Sequence, residues 1–289
     1  MLLKEFVIDP ELFSQPDLVK TFIRDFGVDK GRILSMAPKN WMRMVLESTK
    51  RVPQGRQQKE IEILISTLQK WKIQKIALRS PSRKNKNYEE PWIKFIESFD
   101  GNPVDGILTD NDSKFAISPD KIWQDPDAWQ VDTSITTEIE AKNYLPLVDR
   151  LMSLSQEIYI IDPYFNLESK QYWNFWDGLV ALTNTYSHIT KVIIVVADHK
   201  APVQILGRNP SRLERLSSVE IYRATGNQVE GGMHDRFILS EVAGFSFTNS
   251  FQEKPSELME VLRLSKQSHQ THLARYKSKL EIIDKIYPY

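Results

Sequence analysis

The sequence predicts an α/β protein of two domains, each with a mostly parallel or mixed sheet flanked by helices. At 289 residues the chain exceeds what one hydrophobic core commonly holds, since single cores stop growing at roughly 250 to 300 residues. Short apolar runs alternate along it with segments of helical periodicity, which is typical of α/β layers. The unbroken branched-aliphatic run at 191–198 suits the middle of a parallel sheet.

The first half begins with the apolar run 5–8, which ends at Asp9-Pro10 and predicts a buried strand stopped by a turn. Pro38 stands where a helix can begin, because proline is tolerated in the first helical turn. The patterns predict, in order, a strand at 5–8, a helix near 16–26, a strand at 32–37, helices after 38 and at 60–71, a strand at 75–80, a helix at 92–99 and strand segments within 105–118.

A change of composition between 119 and 135, rich in proline, tryptophan and aspartate, predicts the boundary between domains 1–130 and 131–289. In the second domain we expect helices near 138–154, 172–182 and 211–216, and strands at 157–165, 191–198, 219–224 and 234–240. The aromatic side chains at 172–176 are expected to pack in the core, where such rings gain most from burial.

Composition narrows the class of protein. The 38 basic and 38 acidic residues cancel, so attraction to a polyanion must come from local clusters. The absence of cysteine excludes disulfides, cysteine zinc sites and thiol nucleophiles, and fits a reducing compartment. Since no apolar run approaches a membrane span and the amino terminus lacks a signal-peptide core, we expect a soluble, cytoplasmic protein with no membrane span.

Residues 231–251, GGMHDRFILSEVAGFSFTNSF, combine groups that suit phosphate chemistry. Cleavage of a phosphodiester through a covalent intermediate needs a nucleophile, a cation for the non-bridging oxygens and a proton donor for the leaving oxygen. His234 and Arg236, two apart on a predicted strand, face the same way and can address one phosphate. This spacing predicts a phosphate site.

The pattern His-x-Arg-x4-Glu, followed by GFSFTNSF, resembles the signature of the phospholipase D superfamily, and the strand end IIDPYF is similar to that superfamily as well. The resemblance covers about residues 141–289. It implies a mixed sheet flanked by helices, His234 as the nucleophile, Arg236 as the phosphate clamp, Glu241 as the acid of the motif and Asn249 as a further phosphate donor. No cofactor is implied at this site.

Two features of the motif differ from the family pattern. Arginine and glutamate stand at 236 and 241 where lysine and aspartate are usual, and arginine is no exact substitute for a point charge. Only one motif is present, whereas the family's chemistry uses two histidines, so the second would come from a symmetric homodimer partner. Three alternatives stay open: catalysis, phosphate binding without turnover, and an inert strand with an Arg236–Glu241 ion pair.

The first domain offers a separate cluster of acids. Asp9 ends the first strand, and Asp110 and Asp112 follow a later one, where gathered carboxylates suit Mg²⁺ or Mn²⁺. The arrangement resembles PIN-domain nucleases, although Arg43 and Met44 stand where a further acid is expected. Such acids are also common turn formers. Alternatively, the domain is a degenerate phospholipase D-like copy, because 5–10 echoes 157–163 and 112–118 echoes 234–240.

A basic segment between residues 70 and 87 contains no acid and predicts contact with a nucleic-acid backbone. Its candidate phosphate contacts are Lys72, Arg79, Arg83, Lys84 and Lys86. Together these observations predict a nuclease-like phosphodiesterase acting on DNA or RNA. The alternative is a non-catalytic module that holds a phosphate, nucleic acid or lipid headgroup within a larger complex.

Overall fold

The computed structural model describes residues 1–38, 40–74, 78–79, 91–98, 104–124, 126–197, 205–206, 211–216, 218–224 and 236–288. The chain divides into two compact units, essentially residues 3–132 and 133–289. Each unit contains one sheet flanked by helices, so the predicted α/β class is confirmed.

Unit 1 is built on a parallel sheet. Its strands are β1 (Lys4–Ile8), β2 (Arg32–Ser35), β3 (Leu78–Arg79), β4 (Gly106–Leu108) and β5 (Ala116–Ile117), in the order β3-β2-β1-β4-β5. The α-helices among its described residues are α1 (Pro16–Asp25), α2 (Trp41–Thr49), α3 (Arg56–Gln74) and α4 (Trp92–Glu97). Short 3-10 helices occupy Pro10–Ser14, Val28–Lys30 and Pro119–Gln124.

Strand β1 is the centre of this sheet and is buried on both faces. Phe6 and Ile8 pack into one apolar cluster and Val7 into another, as the alternation of side chains along a strand requires. The indole Nε1 of Trp41 donates to the Ile8 carbonyl at 2.8 Å and ties α2 to the end of β1. The chain runs from β1 outward to β3 and then crosses to β4, so the order of strands reverses between β1 and β4.

Unit 2 contains a larger, mixed sheet. Its strands are β6 (Ser134–Ile139), β7 (Glu157–Ile161), β8 (Lys191–Ala197), β9 (Val219–Ala224), β10 (Phe237–Ser240), β11 (Gly244–Phe247), β12 (Lys254–Arg263) and β13 (Asp284–Tyr287), in the order β13-β9-β8-β7-β10-β11-β12-β6. β7, β8 and β9 pair in parallel, and the other neighbours pair antiparallel.

The α-helices whose bounds lie within the described residues of unit 2 are α5 (Ala141–Met152), α6 (Trp173–Thr185), α7 (Ser211–Glu214) and α8 (Lys266–Lys279), with a 3-10 turn at Lys170–Tyr172. Tyr172, Phe175 and Trp176 are buried as predicted, whereas Trp173 in the same segment is half-buried. No helix in the described part of the chain has the length and hydropathy needed to cross a membrane.

Several elements were not predicted from the sequence, namely β6, β11, β12, α8 and β13. The sequence echo between the halves is partly structural, since β1 and β7 are both central strands and each is followed directly by Asp-Pro. The echo does not extend to the topology. β5 pairs parallel with β4, whereas β10 pairs antiparallel with β7 itself.

A charged cluster joins three strands at one side of the unit 2 sheet. The Glu220 carboxylate on β9 accepts from Lys191 on β8 at 2.8 Å, from Lys285 on β13 at 2.9 Å and from Tyr222 at 2.9 Å. Partial burial alone raises the pKa of Glu220, but the hydrogen bonds from these three groups outweigh it and lower the pKa to about 2.

We expect Glu220→Gln to lower the free energy of unfolding by about 1 kcal/mol at pH 7, the upper end of the range for solvent-accessible ion pairs. Because the folded pKa is below the ordinary value of 4.5, this stability is present above pH 4.5 and is lost as the pH falls toward about 2. Urea unfolding of both proteins from pH 7 to pH 2.5 measures it. A difference that is constant over this range would contradict the assignment.

Candidate functional site

The candidate site lies at the edge of the unit 2 sheet where β7 ends. β10 runs antiparallel to β7, with Phe237 opposite Ile161, so the residue before Phe237 lies beside the carboxyl end of β7. β11 runs antiparallel to β10, and the Phe247 amide donates to the Arg236 carbonyl at 2.9 Å. The segment that follows β11 therefore arrives at the same edge as Arg236.

Arg236 is half-buried at this edge and contacts both neighbouring segments. Its Nη1 donates to the Thr248 carbonyl at 3.5 Å, and its Cζ lies 5.2 Å from the centroid of the Tyr164 ring, within the range of a cation–π contact. Tyr164, just after β7, is 37% exposed. The guanidinium thus lies between the loop after β7 and the loop after β11.

Asn249 lies next to Thr248 and is held in place by β12. Its Nδ2 donates to the Leu258 carbonyl at 3.0 Å, while the Thr248 hydroxyl accepts from the Glu260 amide at 2.9 Å. The structure therefore brings Arg236 and the Asn249 segment together at one edge, as a shared site requires. Asn249 is half-buried, and its amide group is fixed by the strand beside it.

A buried carboxylate lies beneath this edge. Asp162, immediately after β7, is fully buried and accepts four hydrogen bonds. Oδ1 accepts from the Tyr164 amide at 3.0 Å, and Oδ2 accepts from Tyr172 at 3.1 Å, from Ser250 at 2.8 Å and from the Phe251 amide at 3.2 Å. Burial raises the pKa of Asp162, and the four donors oppose that change.

Glu241 is not part of this edge. It follows β10 at the opposite end from Arg236, about 17 Å away along the strand at roughly 3.4 Å per residue. Its carboxylate accepts from the backbone amides of Gln156 at 2.6 Å and Glu157 at 3.1 Å. The structure therefore separates the predicted Arg236–Glu241 pair and gives Glu241 contacts at the start of β7.

The predicted nucleophile, His234, lies outside the described residues, so its role stays a prediction from the sequence. Of the predicted nucleic-acid contacts, Lys72 lies on α3 and Arg79 lies on β3. The structure describes the backbone of these two residues but not their side chains. Arg83, Lys84 and Lys86 fall entirely outside the described residues.

In unit 1, Asp9 is only 2% exposed and its carboxylate is already surrounded by donors. Oδ1 accepts from the Glu11 amide at 3.0 Å, and Oδ2 accepts from the Thr109 hydroxyl at 2.8 Å and the Asn111 amide group at 3.0 Å. These contacts join the end of β1 to the end of β4.

Asp110 and Asp112, by contrast, are exposed. Asp110 and Asp9 line a cleft of about 610 Å³, and Asp110 and Asp112 line a neighbouring cleft of about 500 Å³. Within the described residues, no three acidic or histidine side chains are grouped closely enough to hold a metal ion. The Mg²⁺ or Mn²⁺ site at Asp9, Asp110 and Asp112 therefore stays a prediction from the sequence.

Comparisons with known proteins add two low similarities. No family model matches the chain, and no curated protein matches it. The phospholipase D family member Nuc of Salmonella typhimurium is 14% identical, over 53% of this chain and 96% of Nuc, with a TM-score of 0.37. TrmBL2, an archaeal chromatin protein with a novel mode of DNA binding, is 9% identical, over 93% of this chain and 81% of TrmBL2, with a TM-score of 0.34. Both TM-scores are low, so neither similarity indicates a function for this chain.

Sequence reasoning missed three residues of the edge, namely Asp162, Tyr164 and Ser250. The signal for Asp162 was an acid placed directly between a buried strand and a proline. Its partners Tyr172 and Ser250 lie 10 and 88 residues away in sequence, so the pattern alone could not reveal the cluster.

We expect Glu241→Ala to lower the free energy of unfolding by about 1 kcal/mol, since two backbone amides lose their acceptor. Glu241→Gln, which keeps one amide oxygen, should lose less. Neither change should alter phosphate or oligonucleotide affinity, because Glu241 lies at the far end of β10. Thermal unfolding and a binding titration measure both effects. A loss of phosphate or oligonucleotide affinity in Glu241→Ala would show that Glu241 belongs to the site.

Proposed function

We propose that unit 2 binds a phosphodiester group of nucleic acid at the edge formed by Arg236, Thr248 and Asn249, and that the protein is a nuclease-like phosphodiesterase. One observation carries the proposal. The pairing of β7, β10 and β11 brings the arginine of the motif and the downstream asparagine segment to the same end of the sheet.

The chemistry of the edge suits a phosphate oxyanion. A guanidinium stays charged at all physiological pH values and presents paired N–H groups that match two phosphate oxygens. Arg236 is held from two sides, by the Thr248 carbonyl and the Tyr164 ring, so less side-chain entropy is lost when an anion binds. Half-burial also strengthens its attraction to an anion relative to full exposure to water.

In the catalytic form of the proposal, the His234 imidazole attacks phosphorus and displaces the leaving oxygen, which must take up a proton. Water then attacks the phosphohistidine and restores the imidazole. Because the sequence carries a single motif, we propose that a symmetric homodimer supplies the second histidine as the proton donor. The alternative is a binding module without turnover that works within a larger complex.

Nucleic acid is proposed over lipid because a run of basic residues at 70–87 is typical of phosphate-backbone contact. The sequence shows no amphipathic segment of the kind that seeks a membrane surface. Binding that depends on these lysines and arginines should weaken steeply as salt is added, since counterion release then contributes less.

Cleavage and binding of labelled single- and double-stranded DNA and RNA test the proposal. We expect Arg236→Ala to weaken binding about tenfold or more, the loss of one or two charge-assisted hydrogen bonds. We expect His234→Ala to retain binding and to lose turnover by about a thousandfold or more. Arg215→Ala is the matched control, because Arg215 is an exposed arginine of unit 2 that pairs with Asp177.

Three results separate the alternatives in this assay. Binding without turnover by the wild type would support the non-catalytic module. Equal losses in Arg236→Ala and Arg215→Ala would contradict a phosphate site at this edge. Repeating the assay with and without Mn²⁺, using a variant with Asp9→Ala and Asp112→Ala, tests the metal site proposed from the sequence. Equal Mn²⁺ dependence in the wild type and the double variant would contradict that site.

A further inference from the structure

We propose that Asp162 is a positioning residue that holds the two loops of the site at a fixed spacing and so determines its affinity for phosphate without touching the anion. The proposal rests on the function proposed above. It starts from the observation that one buried carboxylate accepts hydrogen bonds from both loops.

The loop after β7 is fixed through its backbone. The Tyr164 amide donates to Asp162 Oδ1 at 3.0 Å, and the Phe165 amide donates to the Asp162 carbonyl at 3.2 Å. These two bonds turn the chain sharply after the strand. They set where the Tyr164 ring lies, and that ring packs against the guanidinium of Arg236.

The loop after β11 is fixed through the other carboxylate oxygen. Ser250 and the Phe251 amide donate to Asp162 Oδ2 at 2.8 and 3.2 Å, directly after Thr248 and Asn249. The Phe251 carbonyl in turn accepts from the Tyr144 hydroxyl at 2.8 Å. The position of the Thr248 carbonyl that holds Arg236 therefore depends on the same carboxylate.

Burial makes this connection strong. Asp162 is fully buried, and Tyr172, which also donates to Oδ2 and contacts the Ser250 hydroxyl, is 1% exposed. In such surroundings a hydrogen bond to an ionised group is stronger than at the surface. A buried carboxylate that lacks hydrogen-bond donors destabilises the fold. The four donors therefore persist as a set, and loss of one partner is transmitted to both loops.

A comparison of matched variants tests the proposal in the full-length protein. Asp162→Asn keeps the size of the side chain but leaves one acceptor oxygen in place of two, so the donors on one side of the carboxylate lose their partner. Ser250→Ala removes one donor. Ser155→Ala is the matched control, because Ser155 is also a buried serine of unit 2, and its hydroxyl donates to the Leu151 carbonyl in α5. Tyr172→Phe keeps the ring and removes the hydroxyl that donates to Asp162. It replaces Asp162→Asn in the test if that variant fails to fold.

Two readouts are needed, namely oligonucleotide affinity and hydrogen exchange at the Tyr164 and Phe251 amides. We expect Asp162→Asn to weaken affinity about tenfold, and Ser250→Ala and Tyr172→Phe by about threefold each, with faster exchange at these amides than elsewhere in unit 2. Ser155→Ala should lower thermal stability about as much as Ser250→Ala and leave affinity unchanged.

Two outcomes would overturn the proposal. One is unchanged affinity in Asp162→Asn despite faster exchange at both amides. The other is a uniform rise in exchange across unit 2 in every variant, including Ser155→Ala, which indicates a loss of general stability only. A wild type that binds no oligonucleotide would refute the proposed function, and the exchange data would still decide whether Asp162 holds the two loops.

Discussion

The direction of β10 is the constraint on which the site of unit 2 depends. β10 pairs antiparallel with both β7 and β11, whereas β7, β8 and β9 run in parallel. This change of direction places the start of β10 and the end of β11 beside the end of β7. Arg236, Thr248 and Tyr164 meet there as a direct consequence of strand register. A shift of one residue would turn each side chain to the other face of the sheet.

In both units an aspartate follows a central strand, and its carboxylate oxygens accept hydrogen bonds from neighbouring groups. Asp9 joins β1 to the segment after β4, and Asp162 joins the loops after β7 and β11. Buried carboxylates need such donors, because an unpaired charge in the interior is costly. In unit 1 these bonds join the ends of β1 and β4. In unit 2 they hold the two loops that contact Arg236.

Much of the fold could be predicted from the sequence because apolar periodicity is a local signal. The run at 191–198 gave β8, and the apolar segments after residues 4 and 156 gave β1 and β7. β6 was not predicted, since its serine and threonine residues are typical of loops and of exposed edge strands alike. The meeting of Arg236 with the Asn249 segment was predictable from the motif. The contacts of Glu241 with the Gln156 and Glu157 amides were not, because those residues lie 85 and 84 positions away in sequence.

A crystal structure of the protein with tungstate, which mimics phosphate, tests the central claim most directly. The account predicts tungstate within hydrogen-bond distance of the Arg236 guanidinium, at the edge formed with Thr248 and Asn249. Tungstate bound only at the basic segment of unit 1, with Arg236 making no contact to it, would contradict the claim.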